Sequence, residues 1–276
     1  MGKRFANTIG NSTTSGNGTA RSVWPLGTLS FYRTQDQLGD TFNTWPTQIV
    51  TDGLQMNMDA GIPESYVGSG GVWNDLSGNN RHVTLVNSPS YSSANGGFLS
   101  FNGTNQNANR TNENIGTNSF SLDVWARPTA TITVNAQANS GTTGLTGQRY
   151  LLFPIQSATN GGAGISLGTN GLSVYEHGNA YIAPLLSHAL AISNTVFTNI
   201  VIVYTNKLPS LYINNVFIKN GLTSLRASVF YNPAEFIGVT YGAYAGSVAS
   251  VKIYNKSLSV SEITQNFNAL RGRYGI

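Results

Sequence analysis

From residue 54 onward apolar side chains recur at every second position. Leu54, Met56 and Met58 alternate with Gln55, Asn57 and Asp59, and Phe120, Leu122, Val124 and Ala126 alternate with Ser121, Asp123, Trp125 and Arg127. Successive side chains of a strand point to opposite faces, so this period predicts half-buried β-strands. Further strands are expected at 98–101 (FLSF), 150–155 (YLLFPI), 199–204 (NIVIVY) and 250–254 (SVKIY). Asn170-Gly171 joins GISLG to LSVYE, and Asn214-Asn215 joins SLYI to VFIKN. Both turns use residues that tolerate the positive φ of a tight hairpin. Many strands, turn signals between them and almost no helix predict an antiparallel sandwich or barrel.

The period changes at residue 257, where the chain reads SLSVSEITQNFNALRGRYGI. Ser259 and Glu262 have the spacing of a capping box, and Leu258 and Ile263 that of a hydrophobic staple. Ile263, Phe267 and Leu270 recur at i, i+4 and i+7, which gives one apolar stripe on a short helix, and Gly272 is expected to end it.

Residues 1–50 have neither period. NTIGNSTTSGNGTA is polar and glycine-rich, and Trp24-Pro25 and Trp45-Pro46 mark extended chain or turns, because proline disfavours helix in the residue before it. This predicts an extended N-terminal arm over 1–50 and a β body over 51–276, with the arm ordered only on partner chains. Charge supports the division. Only 9% of residues are charged, and Lys3, Arg4, Arg21 and Arg33 precede the first acid, Asp36, and account for the whole net charge of +4. Basic residues so dilute favour a protein surface over nucleic acid. There is no cysteine. MGKRFANTIGNSTTSGNG lacks the apolar core of a secretion signal, and no window approaches a membrane span, so no membrane partner is expected.

The run GLQMNMDAGIPESYVGSGGVWNDLSGNNRHVTLVN, followed by FNGT (101–104), SFSLDVWARP, NIVIVYTNKLPSLYINNVFIKNG and SVKIYNKSLSVSEITQNFNAL, resembles the concanavalin A-like, laminin-G-like jelly roll, in order and over about residues 52–274. In wording it resembles the domains of this type in tailed-bacteriophage virion proteins. The resemblance implies an all-β antiparallel jelly-roll sandwich whose closing helix packs on the sheets through Ile263, Phe267 and Leu270. It also implies a non-enzymatic virion protein, made in the host cytoplasm, with no cofactor. The arm would attach to other virion proteins through Lys3, Arg4, Arg21, Trp24, Phe31, Phe42 and Trp45, and a displayed domain suggests a homo-oligomer. The competing expectation keeps the fold and changes the role to a carbohydrate-binding adhesin for host surface polysaccharide.

Candidate chemistry is sparse. Gly164-Ile165-Ser166-Leu167-Gly168 fits the nucleophile elbow of hydrolases, but Ser166 lies between apolar strand positions ahead of a hairpin, which predicts an outward strand serine instead. No two acids lie two positions apart, as a glycosidase pair on one strand would, and the nearest pairs, Asp36 with Asp40 and Asp59 with Glu64, fall in the arm or at a strand exit. His82, His177 and His188 have no zinc spacing. Asp75 and Asn79 are the weak calcium candidates the family suggests, with an Asx turn as the commoner use of such a pair. Among 13 Tyr, 12 Phe and 4 Trp, Tyr231, Tyr241 and Tyr244 are the candidates for stacking on sugar.

Overall fold

The computed structural model describes residues 48–276, in which the two-residue period becomes seventeen strands and one α-helix. The residues expected to contact virion partners, Lys3, Arg4, Arg21, Trp24, Phe31, Phe42 and Trp45, lie outside the described residues. The largest sheet is antiparallel and runs β14 (Val216–Asn220), β13 (Leu208–Ile213), β12 (Thr198–Thr205), β7 (Phe120–Pro128), β17 (Ala245–Tyr254), β5 (Phe98–Asn102), β4 (Ser90–Ser92). Strand β17 is long enough to serve two neighbours in succession. Its first half pairs with β5, and its second half, from Ser250 to Tyr254, pairs with β1 (Leu54–Asp59).

A second sheet runs β11 (Tyr181–Ala189), β10 (Gly171–Gly178), β9 (Gly161–Gly168), β15 (Val229–Phe230), with β8 (Tyr150–Leu152) also on β9. A small third sheet holds β16 (Glu235–Ile237), β6 (Asn107–Asn109), β3 (Val83–Val86) and β2 (Val72–Trp73). One contiguous core joins them. Met56 and Met58, Leu122 and Val124, Ile200 and Ile202 from the large sheet pack with Ile165, Leu172 and Val174 from the second and with Trp73, Val83 and Phe236 from the third. The architecture is the expected all-β sandwich with a C-terminal helix.

The expectation of half-buried strands needs correction on the large sheet. Ser121, Asp123 and Trp125, the outward set of β7, are as buried as the inward set. The cause is α1 (Val260–Tyr274), which lies across that face: Ile263 and Leu270 are buried against it, and Phe267 and Tyr274 stack on Trp125 at 5.7 and 4.3 Å. The capping box forms, with the Glu262 N–H donating to Ser259 Oγ and the Ser259 N–H donating to Glu262 Oε2. The helix does not stop at Gly272. It continues to Tyr274 and is capped by Gly275, whose φ of 74° is the left-handed conformation a C-cap requires. Burial of Leu270 and Tyr274 outweighs the conformational cost of one internal glycine.

Polar side chains trapped beneath α1 pair with one another. Asn199 and Asn266 donate their amides to the two oxygens of Asp123, at 2.7 and 3.0 Å, and Arg273 forks onto Asp59 at 2.9 and 2.7 Å. Lys252 donates to Ser250 Oγ at 2.8 Å; burial depresses its pKa, and the charges of Asp123 and Asp59 oppose that. The cluster extends to Val50, at the end of the segment read as arm: its N–H donates to Asn266 Oδ1 at 2.8 Å, and its carbonyl accepts from the Tyr254 hydroxyl.

The outer face of the second sheet is covered differently. The segment expected to be a strand over 150–155 is one only to Leu152, and the chain then crosses β9 backbone to backbone. A Cβ on Gly162 would lie 1.9 Å from the Ile155 carbonyl oxygen, and one on Gly164 would lie 2.4 Å from that of Leu152, so glycine is required at both. The same cover buries Ser166. It points outward as expected, but it is fully buried, and its Oγ accepts the Arg149 N–H at 3.0 Å.

Candidate functional site

Of the three tyrosines named for sugar stacking, two cannot serve. Tyr231 and Tyr244 are fully buried in the main core, and burial holds both phenols well above their ordinary pKa. Asn232, beside Tyr231, is buried too and donates to Asn112 and Asn114. Tyr241 is different: it stands on the turn between β16 and β17 and is 43% exposed.

The turn holds Tyr241 from both sides. Glu235 Oε1 accepts the N–H groups of Val239 and Thr240, the latter at 2.6 Å. Gly242 packs so closely on the next segment that a Cβ would lie 1.9 Å from the Gln148 carbonyl oxygen, and its own carbonyl accepts the Tyr150 N–H at 3.0 Å. Between these anchors Tyr241 adopts φ 57°, a left-handed conformation that costs a bulky side chain on the order of 1–3 kcal/mol.

Beneath Tyr241 lies a stack of rings. Its centroid is 6.1 Å from Phe153 and 5.9 Å from His177, and Phe153 and His177 meet edge to face at 6.2 Å. Phe153 rests in turn on Tyr150, and Tyr150 on Tyr175. His177 Nδ1 is 2.9 Å from the Pro154 carbonyl oxygen. A carbonyl only accepts, so Nδ1 carries the hydrogen and Nε2 presents a lone pair. His177 is 7% exposed, and its Nε2 has no partner among the described residues. Burial holds the His177 pKa below its ordinary value, so near pH 7 the ring is neutral and Nε2 stays an acceptor. The site therefore offers an exposed aromatic face on a rigid base, beside an unclaimed hydrogen-bond acceptor.

Sequence reasoning named Tyr241 but missed its two neighbours. Phe153 lay in an expected strand and His177 among scattered histidines. They meet because the segment after β8 crosses the end of β10, a contact between positions 23 apart for His177 and Pro154. No local pattern records it.

The calcium candidates are committed elsewhere. Asp75 Oδ1 accepts the N–H groups of Asn57 and Ser77, and Oδ2 accepts the Ser77 hydroxyl and the Arg81 N–H. The Ser77 contact is the Asx turn, and the Asn57 contact ties the loop to β1. Asn79 points its amide nitrogen, a donor, at the Leu54 and Gln55 carbonyls. Among the described residues no group of three His, Cys, Asp or Glu side chains converges as metal ligands would. His82 is a loop residue whose Nδ1 accepts the Asp75 N–H.

Comparison with known proteins places this geometry in context. No curated protein matches the sequence. The binding domain of Paraclostridial mosquitocidal protein 1 is similar in structure, with TM-score 0.55, 17% identity, and coverage of 79% of this chain and 52% of that one. So is a botulinum neurotoxin type C structure, described by a cell entry dependent upon interaction with two ganglioside molecules, with TM-score 0.54, 13% identity and coverage of 80% and 52%. A Trypanosoma rangeli sialidase in complex with sialic acid gives TM-score 0.51, 15% identity and coverage of 81% and 34%. At these identities the likeness is one of fold, and the chain spans about half the length of the first of them. The model of the concanavalin A-like lectin/glucanases superfamily, Laminin_G_3, matches residues 102–264, more than half of the chain. The chain belongs to the concanavalin A-like lectin/glucanase superfamily.

Proposed function

We propose that the β body is a non-catalytic carbohydrate-binding module that takes a sugar ring on Tyr241. One observation carries the reading: an exposed tyrosine is held in a left-handed conformation over a buried aromatic stack, beside the unclaimed Nε2 of a neutral histidine. A pyranose packs the C–H groups of one face on an aromatic ring, and Nε2 is placed to accept from a hydroxyl at the ring edge. The family includes lectins, and similar structures are described with gangliosides and with sialic acid, which supports the class of ligand and not its identity. The binding role is favoured over hydrolysis because Glu235, the carboxylate of the turn, has Oε1 committed to two backbone amides, whereas glycoside cleavage needs a pair of carboxyl groups free to act.

In this reading the module is carried on a tailed-phage particle, several copies together, with residues 1–50 as the attachment segment. That part rests on the rings and basic residues of the segment's sequence. Deleting residues 1–50 and measuring incorporation into particles tests it, and normal occupancy of the truncated chain overturns it. The binding role is tested on an array of host surface glycans with the full chain. Tyr241→Ala is expected to abolish binding of at least one glycan of the array while leaving the melting transition within a few degrees, because it truncates an exposed side chain. Binding of every glycan by the variant at the wild-type level overturns the assignment.

A further inference from the structure

A second concave surface lies away from the residues of the platform. It is a cleft of about 450 Å³, lined by Tyr66, Ser69, Gly70, Gly71, Ser88 and Tyr91 among others. Its walls come from two sheets. Tyr91 belongs to β4, the terminal strand of the large sheet, and Gly71 immediately precedes β2, the terminal strand of the small one. Among the described residues no other strand pairs along the far side of either, so the cleft lies beside the terminal strands of two sheets.

Its chemistry is narrow. Among the described residues no Asp, Glu, Lys, Arg or His lines it. Tyr66 and Tyr91 form its aromatic floor, ring centroids 5.5 Å apart and tilted by 56°. The buried Tyr66 fixes the loop by donating its hydroxyl to the Gly70 carbonyl at 3.0 Å. The hydroxyls of Ser69, Ser88 and Tyr91 have no partner among the described residues. A Cβ on Gly70 or Gly71 would meet nothing within 4 Å, so the main chain of this loop lies bare toward open space. Val67 and Val72 bracket the loop and are 75% and 49% exposed, which adds an apolar lip. The volume lies in the range of small-ligand sites.

We infer that this cleft is a separate binding site for a neutral oligosaccharide, recognised by stacking on Tyr91 and by hydrogen bonds to the free hydroxyls and to the N–H groups of the bare glycine loop, whose Gly70 and Gly71 carbonyls already accept from Tyr66 and Leu85. Uncharged hydroxyl-rich chains match a wall of hydroxyls and peptide groups, whereas an acidic sugar finds no cation here to offset its desolvation. The inference stands apart from the Tyr241 platform and does not need it.

The test is an NMR titration of the full chain, following backbone amides, with cellotriose, maltotriose and triacetylchitotriose as neutral probes and sialyllactose as the charged one. At least one neutral trisaccharide is expected to shift the amides of Ser69, Gly70 and Gly71 saturably. Gly71→Trp, at a position without positive φ and with open space in front of it, fills the cleft without disturbing packing and is expected to weaken that binding about tenfold or more. Tyr91→Ala gives the same direction of change, and Tyr241→Ala leaves it unaltered. Absence of shifts at Ser69–Gly71 up to about 10 mM of every neutral probe, or shifts indifferent to Gly71→Trp, overturns the inference, as does equal or tighter binding of sialyllactose there. Shifts confined to Tyr241 and His177 sink the cleft and leave the platform reading intact; shifts confined to the cleft do the reverse.

Discussion

The two sheets solve one problem in opposite ways. Each has an outer face that must be covered. The large sheet is covered by side chains: α1 stacks Phe267 and Tyr274 on Trp125 and traps a layer of paired charges and amides. The second sheet is covered by main chain over β9, with residues 152–155 lying on the bare backbone of Gly162 and Gly164, and Tyr150 and Phe153 pack on Tyr175 and Ile182 beside it. The buried acids of the two sheets differ as well, although Asp59 lies beneath α1 and Glu176 faces the core between the sheets. Asp59 has the Arg273 fork, whereas Glu176 on β10 is surrounded by hydroxyls: Tyr181 at 2.9 Å, Tyr204 at 3.2 Å and Ser224. Arg226, whose charge acts on Glu176, sits over the Tyr181 ring at 3.6 Å. A side-chain cover can be built with ion pairs and is a structural closure. A main-chain cover places backbone carbonyls and rings exactly where the chain passes, and here it supplies Phe153 and the Pro154 carbonyl to the candidate platform.

The sharpest way to break the side-chain cover is Arg273→Ala. It strands Asp59, 2% exposed, without its guanidinium, and leaving one partner of a buried pair unpaired costs about 3–5 kcal/mol. Urea denaturation is expected to show a midpoint shift of that size, while sugar binding by the surviving folded fraction is unchanged. A loss below about 1 kcal/mol would mean that water reaches Asp59 and the layer is not closed.

The main-chain cover is tested by Gly162→Ala. Its methyl has no space against the Ile155 carbonyl, so the crossing segment must lift, with an expected loss of about 3 kcal/mol from strain. Here stability and function should fall together, because Pro154 and Phe153 move with the segment. Loss of stability with glycan binding intact would separate the platform from the cover.

The contrast between these covers also marks what was legible beforehand. The alternation along β1 and β7, the Asn214-Asn215 hairpin and the capping box are local patterns, and each appears where expected; the hairpin expected at Asn170-Gly171 turns one residue earlier, at Thr169-Asn170, with Gly171 already paired to Gly168. That both faces of β7 are buried was not legible, because the cover over Asp123 comes from Asn266, 143 positions away. The same holds for the tyrosines. Tyr241 and Tyr244 share the run Tyr241-Gly242-Ala243-Tyr244 and Tyr231 stands beside Asn232, yet Tyr231 and Tyr244 enter the core and Tyr241 does not, according to where β16 and the turn after it are carried. Gly164 reads only as part of the strand GISLG and nothing local singles out Gly162, since a requirement for no side chain is visible only beside the segment that passes over them.

The buried acids give a prediction in pH. Burial pushes the Glu176 pKa up to about 7, and its hydroxyl partners oppose this only in part. Below the ordinary carboxylate pKa both folded and unfolded chains hold the proton, and the contribution to stability is fully present. As pH rises toward 7 the unfolded chain ionises freely and the folded one resists, so up to about 3 kcal/mol is lost by the time pH has passed the folded value. His177 acts in the opposite sense, since its depressed pKa removes stability as pH falls through its ordinary range. The difference between wild type and Glu176→Gln isolates the first effect. Glu176→Gln is expected to flatten the fall between about pH 5 and 8 and to be relatively more stable at the alkaline end. Parallel stability curves for the two proteins would show that Glu176 ionises in the fold with little penalty.

The smallest effect concerns the helix that makes the side-chain cover. Gly272 lies inside α1, and a Cβ there would meet nothing within 4 Å, so no packing reason keeps it glycine. Gly272→Ala is expected to stabilise the protein by about 0.5–1 kcal/mol, through the smaller freedom of alanine in the unfolded chain and its better helix propensity. The gain should appear as a small rise in melting temperature and as slower amide exchange in the last turn, between Leu270 and Tyr274. Gly275 makes the control. Its left-handed φ of 74° caps the helix, so Gly275→Ala at an equally open position should destabilise by a similar amount. Opposite signs at two glycines three residues apart would show that α1 ends at Tyr274. Equal signs would move the end of the cover back toward Gly272, and with it the support for Tyr274 on Trp125.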